Sequence, residues 1–256
     1  MLGGEASWED VGAAFTEQAA FIRRFTAEQD VQTNEVQRAW ALLPAFLALA
    51  GDRPFDLLEL GPSAGLNLVF DRYRYRYTAG TWGDGPLELH GHDRIPVPPE
   101  ILRRRISVVR RRGVDLNPVD ATTEHGARLL QAFLWPDQVE RCERLQSAIE
   151  VLRTDPPELV RGDYTECLPE LLADRTPGSQ LVVFQTASTM YLARDAMAGV
   201  RAALQQASLR EPLVFLNAEA PGGEDGFSLQ FERYPGGQRE RVAVFDFHGA
   251  WLDWGL

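Results

Sequence analysis

The chain has 256 residues, 45% of them hydrophobic, with a formal net charge of −11. That length suits one large α/β domain with a substantial core, and the charge argues against nonspecific nucleic-acid binding, which rests on neutralising phosphates. Two cysteines, Cys142 and Cys167, and four histidines with no HExxH spacing supply neither a disulfide framework nor a metal site.

Ser7-Trp8-Glu9-Asp10 has the form of a capping box opening a helix, along which Val11, Phe15, Ile22 and Phe25 keep one apolar face. Thr33-Asn34-Glu35 is a second helix start, followed by the stripe Val36, Ala39, Trp40, Leu43 and Leu47. Pro44 would kink that helix, and Gly51-Asp52-Arg53-Pro54 stops it. Residues 1–52 therefore read as an N-terminal helical segment packed on a core formed by residues 53–256. Residues 56–60 make a short apolar run of the kind that forms buried parallel strands. Gly61-Pro62-Ser63-Ala64-Gly65 follows, and a helical pattern resumes near Leu66. Glycine after a strand lets the backbone turn sharply and approach a ligand, while the next helix presents free N–H groups.

Residues 72–77 alternate arginine and tyrosine, which places the aromatics on one face of a strand and the cations on the other. With turn residues at 80–85 and a return strand at 86–90, residues 72–100 read as a β-hairpin insertion ended by Pro96, Pro98 and Pro99. On this acidic chain the tyrosines are expected to pack inward rather than stack on a nucleic acid. Arginine triplets at 103–105 and 110–112 flank a short apolar run. Such runs are usually solvated faces, the alternative being selection of an anionic substrate. Gly113-Val114-Asp115-Leu116-Asn117-Pro118 reads as a strand end entering a loop, and residues 122–153 as a helical region with a turn at Trp135-Pro136-Asp137-Gln138. A short strand at Leu159-Val160 leads into Gly162-Asp163-Tyr164 and a helix near 168–172. Residues 180–185 are the most hydrophobic strand. A helix near 195–207, a strand at 213–216 and a β-hairpin at 227–247 complete the chain. No run of about 18 apolar residues reads as a membrane span, and the start MLGGEASWEDV lacks the basic and apolar segments of a signal peptide. A cytoplasmic protein with a small-molecule substrate and no membrane partner is expected.

The acid-x-Gly-x-Ser-x-Gly spacing of Glu59, Gly61, Ser63 and Gly65 resembles the first motif of class I S-adenosylmethionine methyltransferases more than the G-x-G-x-x-G dinucleotide fingerprint. Further stretches carry the likeness: VQTNEVQR (31–38), LLELGPSAGLNL (57–68), GVDLNPVD (113–120), LLQAFLWPDQVERCERL (129–145) and VRGDYTECLPELL (160–172). On these the chain resembles an uncharacterised bacterial family, a domain of unknown function, whose sequences are similar to S-adenosylmethionine-dependent methyltransferases. The resemblance implies an α/β, Rossmann-like class I methyltransferase sandwich. Its sheet would be mostly parallel with a C-terminal antiparallel hairpin, joined by N-terminal helices and a β-hairpin insertion. It also implies S-adenosylmethionine as cofactor, and a shortened N-terminus relative to other members.

On that reading Glu59 and the backbone of Gly61, Ser63 and Gly65 face the amino-acid end of the cofactor; a buried Glu59 paired with a base is the plain alternative. Asp115, at a strand end, would accept from the ribose hydroxyls. It lies 50 residues beyond Gly65, against about 20 in a simple nucleotide-binding unit, with the insertion accounting for the excess. The alternative is a turn aspartate capping Asn117-Pro118. Asp163 and Tyr164 would offer the adenine an acceptor and an aromatic wall, or Asp163 is simply an N-cap. Asn34 and Glu35 are pocket candidates that would close over the cofactor, or a helix start with Arg38 as partner of Glu35. Gln185 and Tyr191, at and beyond the end of the fourth parallel strand, are candidates to face substrate. No catalytic residue is assigned: methyl transfer is an in-line displacement that positioning can drive, and His125 and Asp137 have no motif support as bases. The strand end Phe184-Gln185-Thr186-Ala187-Ser188 lacks the Asn/Asp-Pro-Pro-aromatic signature of amino-group methylation of bases. The expected function is thus a methyltransferase with a small-molecule acceptor. A non-catalytic module that kept the fold for sensing or protein contacts is the second reading. A nicotinamide-dependent oxidoreductase, which the missing G-x-G-x-x-G disfavours, is the third.

Overall fold

Apolar runs separated by helical patterns assemble here as parallel strands, each covered on both faces. The computed structural model describes residues 7–28, 32, 34–220 and 225–255. In chain order these form helices α1 (Trp8–Glu17), α2 (Ala19–Glu28) and α3 (Arg38–Leu49), then strand β1 (Phe55–Leu60) and a 3-10 helix (Leu66–Arg72). Next come β2 (Arg74–Tyr77), β3 (Gly80–Trp82), β4 (Glu88–His90), β5 (His92–Ile95), α4 (Pro99–Leu102) and β6 (Val108–Asp115). The second half holds α5 (Glu124–Ala132), α6 (Val139–Thr154), β7 (Glu158–Arg161), α7 (Tyr164–Ala173), β8 (Gln180–Thr186) and α8 (Arg194–Ser208). β9 (Leu213–Glu219), β10 (Phe227–Tyr234), β11 (Gln238–Phe245) and β12 (Trp251–Trp254) close the order.

The nine-stranded main sheet runs β5-β12-β11-β10-β9-β8-β1-β6-β7. Strands β7, β6, β1, β8 and β9 are mutually parallel. β10, β11 and β12 extend them as an antiparallel meander, and β5 adds parallel to β12 at the edge. The protein is therefore mixed α/β with a large, mostly parallel sheet. Counted in chain order, the five parallel strands stand 3-2-1-4-5, a doubly wound order whose direction reverses between β1 and β8. β1 is buried at every position because its alternate residues feed two cores. Leu57 packs with Val182, Phe184 and the helix α3 on one face; Leu58 and Leu60 pack with Leu168 of α7 and Leu204 of α8 on the other.

The N-terminal segment divides. α3 is buried along nearly its whole length and passes through Pro44, with Phe46 stacked on Phe70 at 4.1 Å and edge-on to Phe184 at 5.2 Å. Its first helical residue is Arg38, so Asn34 and Glu35 lie in the preceding turn; Thr33 lies outside the described residues. The Ser7–Asp10 capping box forms, yet α1 has no buried residue, and Trp8, Phe15 and Phe21 are exposed.

Residues 72–100 do not form one hairpin. β2 and β3 are antiparallel, but β4 pairs parallel to β2 in a separate three-stranded sheet, and β5 leaves for the far edge of the main sheet. The tyrosines do pack inward: Tyr73, Tyr75 and Tyr77 are buried, and Tyr77 stacks on Trp40 with ring centroids 5.1 Å apart. They also explain a difference at the glycine loop, where a seven-residue 3-10 helix replaces the helix expected from Leu66. The hydroxyls of Tyr73 and Tyr75 donate to the carbonyls of Leu66 and Phe70, which a continuing α-helix would need.

The second arginine triplet is not a solvated face. It lies in β6, where Arg110 pairs with Glu158 and Asp174, Arg111 with Asp71 and Asp155, and Arg112 with Asp56 at 3.1 Å. Both side chains of the last pair are fully buried. Asp56 also accepts from the Thr176 amide at 2.7 Å, and Arg112 donates to the Leu171 carbonyl at 2.9 Å, so this pair locks the two central strands to the α7 end. Residues 103–105 remain exposed. Replacing Arg112 by Met strands a buried carboxylate, which costs about 3–5 kcal/mol. Urea unfolding of Arg112→Met should show that loss as a lower midpoint with unchanged slope, and a loss below about 1 kcal/mol would mean that water reaches Asp56.

Candidate functional site

The loop after β1 lies at the C-terminal ends of the parallel strands, at the point where the sheet order reverses. Gly61 has φ +71, and a Cβ there would sit 2.5 Å from the Cβ of Ser188 in the turn after β8. Ser188 Oγ donates to the Leu60 carbonyl at 2.7 Å, so the loops on either side of the switch point touch. Two non-glycine residues have positive φ among the described residues, Ser63 (φ +52) and Ala187 (φ +70), one on each of these loops.

Asp115, at the end of the second parallel strand, accepts from the Ser63 amide with one oxygen and from the Asn117 amide with the other, both at 2.8 Å. It therefore does what a turn aspartate does and also ties the loop after β1 to the end of β6. The loop's other amides are also engaged within the chain: Gly61 donates to the Val114 carbonyl, Gly65 to the Pro62 carbonyl and Ala64 to Asn34 Oδ1. The N–H donors of the glycine loop itself are thus taken up within the chain.

Residues 32–38 cross the top of this loop. Asn34 Nδ2 donates to Ser63 Oγ at 2.6 Å, Ser63 Oγ donates to Gln32 Oε1, and Gln32 Nε2 donates to the Asn117 carbonyl at 2.8 Å. Glu35 pairs with Arg141 at 2.8 Å and with Arg144 at 3.6 Å, both on α6, rather than with Arg38. Arg38 donates to the Phe247 carbonyl and lies over the Phe227 ring.

Glu59 is 2% exposed and forms no ion pair within 4 Å among the described residues. One oxygen sits 3.5 Å from Asn67 Nδ2; the other, together with Asn67 Oδ1, has no hydrogen-bond donor. Burial pushes its carboxyl from the ordinary 4.5 up to about 8, against a weaker pull from the Asn67 hydrogen bond. The Asp115 charge raises it further and Arg38 lowers it. Glu59 is thus a neutral acid at pH 7.

Asp163 and Tyr164 follow β7. Asp163 is the N-cap of α7, accepting from the Thr165 amide at 2.8 Å, and the Gly162 amide donates to the Asp115 carbonyl. Tyr164 is buried, with its hydroxyl 3.5 Å from the Ser188 carbonyl. Glu59, Gly61, Ser63, Gly65, Asp115, Asp163, Tyr164 and Asn34 therefore gather around the C-terminal ends of β1, β6 and β7. Gln185 meets this cluster through Ser188, whose hydroxyl lies 3.4 Å from Gln185 Oε1; it is otherwise fully buried, donating to Asn217 and the Ala218 carbonyl and accepting from the Thr189 amide. The side chain of Tyr191 lies outside the described residues. Gln32, Asn67 and Ser188 are additions, none of which carries a motif that sequence reading could use. His125 and Asp137 are exposed. A groove of about 350 Å³ at the opposite, N-terminal ends of β1 and β6 is lined by Arg53, Phe55, Arg105 and Ser107, none of them part of this cluster.

A family model described as an uncharacterized protein conserved in bacteria, DUF2332, matches residues 2–254. The chain belongs to the DUF2332 family. No curated protein and no solved structure matches it. Among the described residues, no cluster of three or more His, Cys, Asp or Glu could hold a metal ion, and no helix is long and apolar enough to cross a membrane. Cys142 and Cys167 are free and half-buried.

The state of Glu59 sets a pH dependence for this DUF2332 chain. The folded form keeps its proton up to about pH 8, whereas the unfolded form loses it near 4.5. Stability is fully present below the lower value and falls as pH rises through the window, by at most about 1.4 kcal/mol per pH unit. Glu59→Gln removes that slope, so the stability difference between variant and wild type should grow in the variant's favour from pH 5 to 8.5. Parallel curves across that range would show that Glu59 is ionised in the fold.

Proposed function

We propose that this DUF2332 protein is an S-adenosylmethionine-dependent methyltransferase acting on a small-molecule acceptor. The observation that carries the reading is the acid-x-Gly-x-Ser-x-Gly loop standing after the first strand of a 3-2-1-4-5 sheet, at its switch point. Doubly wound sheets take their ligands in the crevice at that point. The positive φ values of Ser63 and Ala187 on its two sides support the same place, since strained backbone gathers at functional sites.

The residues present fit the cofactor's parts. Glu59 Oε2 and Asn67 Oδ1 are buried acceptors without donors, a pair complementary to an amino-acid ammonium, towards which Glu59 would release its proton. A carboxylate offers about four acceptor positions. Asp115 uses two on amides, which leaves lone pairs for a ribose diol. Asp163 keeps one oxygen beyond its cap for the adenine amine, beside the Tyr164 ring. When bound, S-adenosylmethionine would supply an electrophilic methyl group. Asn34 and Gln32, already bonded to Ser63, would exclude water from above the loop.

The non-catalytic module remains the alternative, favoured by Gln185: its amide is consumed inside the fold, so the end of β8 offers no free polar side chain from that position. Isothermal titration with S-adenosylmethionine and S-adenosylhomocysteine, with NAD as control, separates these readings from the nicotinamide one. Micromolar binding of the first two and none of NAD is expected. Asp115→Ala should weaken it by roughly 10- to 100-fold, and a melting curve on the same variant separates that loss from loosening of the Ser63 loop. Absence of binding by the wild type would remove the cofactor, whereas binding without transfer to a broad acceptor library would favour the module.

A further inference from the structure

Ten large apolar side chains are exposed among the described residues, and seven of them fall on two surfaces. Trp8, Phe15 and Phe21 stand on α1 and α2, whose apolar positions recur at helical spacing. Leu116, Trp135, Val139 and Met190 are exposed in the connections after β6, α5 and β8 and at the start of α6, on the side of the sheet where its parallel strands end. Leu116 adjoins Asn117, whose carbonyl holds Gln32. Val139 lies two residues before Arg141, the partner of Glu35, and Trp135 precedes the Gln138 that Arg141 also binds. Met190 lies two residues after Ser188, which abuts Gly61. Scattered apolar residues on a surface need no explanation, but paired clusters of this kind mark contact surfaces.

The chain itself connects the two. Gln32 is fastened to the rim through Ser63 and Asn117, and α2 ends at Glu28, four residues earlier, a span of at most about 14 Å. The apolar face of the two helices is therefore tethered within reach of an apolar rim that no other described element covers.

We propose that α1 and α2 form a cap that folds onto the Leu116, Trp135, Val139 and Met190 rim and closes the crevice over the glycine loop. The cap does not depend on which ligand the crevice takes. It completes what residues 32–38 begin, because the same segment that bridges the loop delivers the helices to its rim. It also gives the exposed Trp8, Phe15 and Phe21 of α1 and α2 a partner in this chain.

Hydrogen exchange of the full chain tests this without a ligand. The rim variant Leu116→Ser/Met190→Ser changes two exposed positions, so it should fold and melt like the wild type. Amides of residues 8–28 are expected to exchange roughly tenfold faster in that variant than in the wild type, and S-adenosylhomocysteine should slow them further in the wild type alone. Equal exchange in the two proteins would overturn the cap. Protection that rises with protein concentration would also overturn it, by assigning the face to a second copy. If titration shows no binding of S-adenosylhomocysteine while the difference between the proteins persists, the cap stands and the cofactor reading falls.

Discussion

The close approach of Gly61 to Ser188 governs the C-terminal edge of the sheet. A side chain on Gly61 would occupy the place of the Ser188 Cβ, so glycine there lets the loops after β1 and β8 meet across the point where the strand order reverses. With the floor of the crevice closed in this way, Ser188 reaches the Leu60 carbonyl and Tyr164 reaches Ser188 from the other side. The loop then climbs through Ser63 in a left-handed conformation that costs a non-glycine residue about 1–3 kcal/mol. Its surroundings over-determine that strain: Asp115 takes its amide, Val119 donates to its carbonyl, and Asn34 and Gln32 hold its hydroxyl. A backbone so constrained is pre-organised, which lowers the ordering cost of binding.

Locally coded features were legible in the sequence. An apolar run bounded by glycines identifies β1 and its loop, and Gly-Val-Asp at a strand end identifies Asp115, because both depend on adjacent residues alone. Features set by distant partners were not. A triplet of arginines looks solvated unless its counter-ions are known, and the partner of Arg112 is Asp56, hidden inside another strand. The 3-10 helix after the glycine loop owes its form to tyrosines of a separate sheet. Placing β5 against β12 joins segments more than 150 residues apart in chain order. Gln185 is a different case, since the information was present: period two places it with Leu181 and Val183 on the face of β8 that packs against α7 and α8. Position at the end of a strand does not by itself turn a side chain towards substrate.

The acidic character of the chain coexists with arginines held at the joints between elements. Arg141 and Arg144 fasten the turn before α3 to α6 through buried Glu35. Arg201 of α8 binds Glu232 of β10 and Glu219 of β9. Burial alone would raise the Glu232 carboxyl, yet the hydrogen bonds and charge of Arg201 bring it below its usual value. Pairs of this kind cost desolvation and contribute register more than net stability, which suits joints that must hold helices in one place on the sheet. Glu59 differs: it is a buried acid with no such ion pair among the described residues, and without the amide and hydroxyl donors that Thr78 gives buried Asp93.

That difference indicates how recognition must work if the crevice binds a ligand. Glycine loops usually offer backbone N–H groups to anionic ligands, but here Asp115, Asn34, Val114 and Pro62 already accept from the amides of residues 61–65. A ligand relying on those donors would have to displace Asn34 first and would still find the others occupied. The unused capacity is of the opposite kind: acceptor atoms of Glu59 and Asn67 without donors, and spare lone pairs on Asp115. A buried acid beside an unpaired amide oxygen suits a donor-rich or cationic group, towards which Glu59 would give up its proton. The loop therefore supplies shape through bonds made within the chain, and under the proposed reading it is the side chains of Glu59, Asn67 and Asp115 that would supply the chemistry.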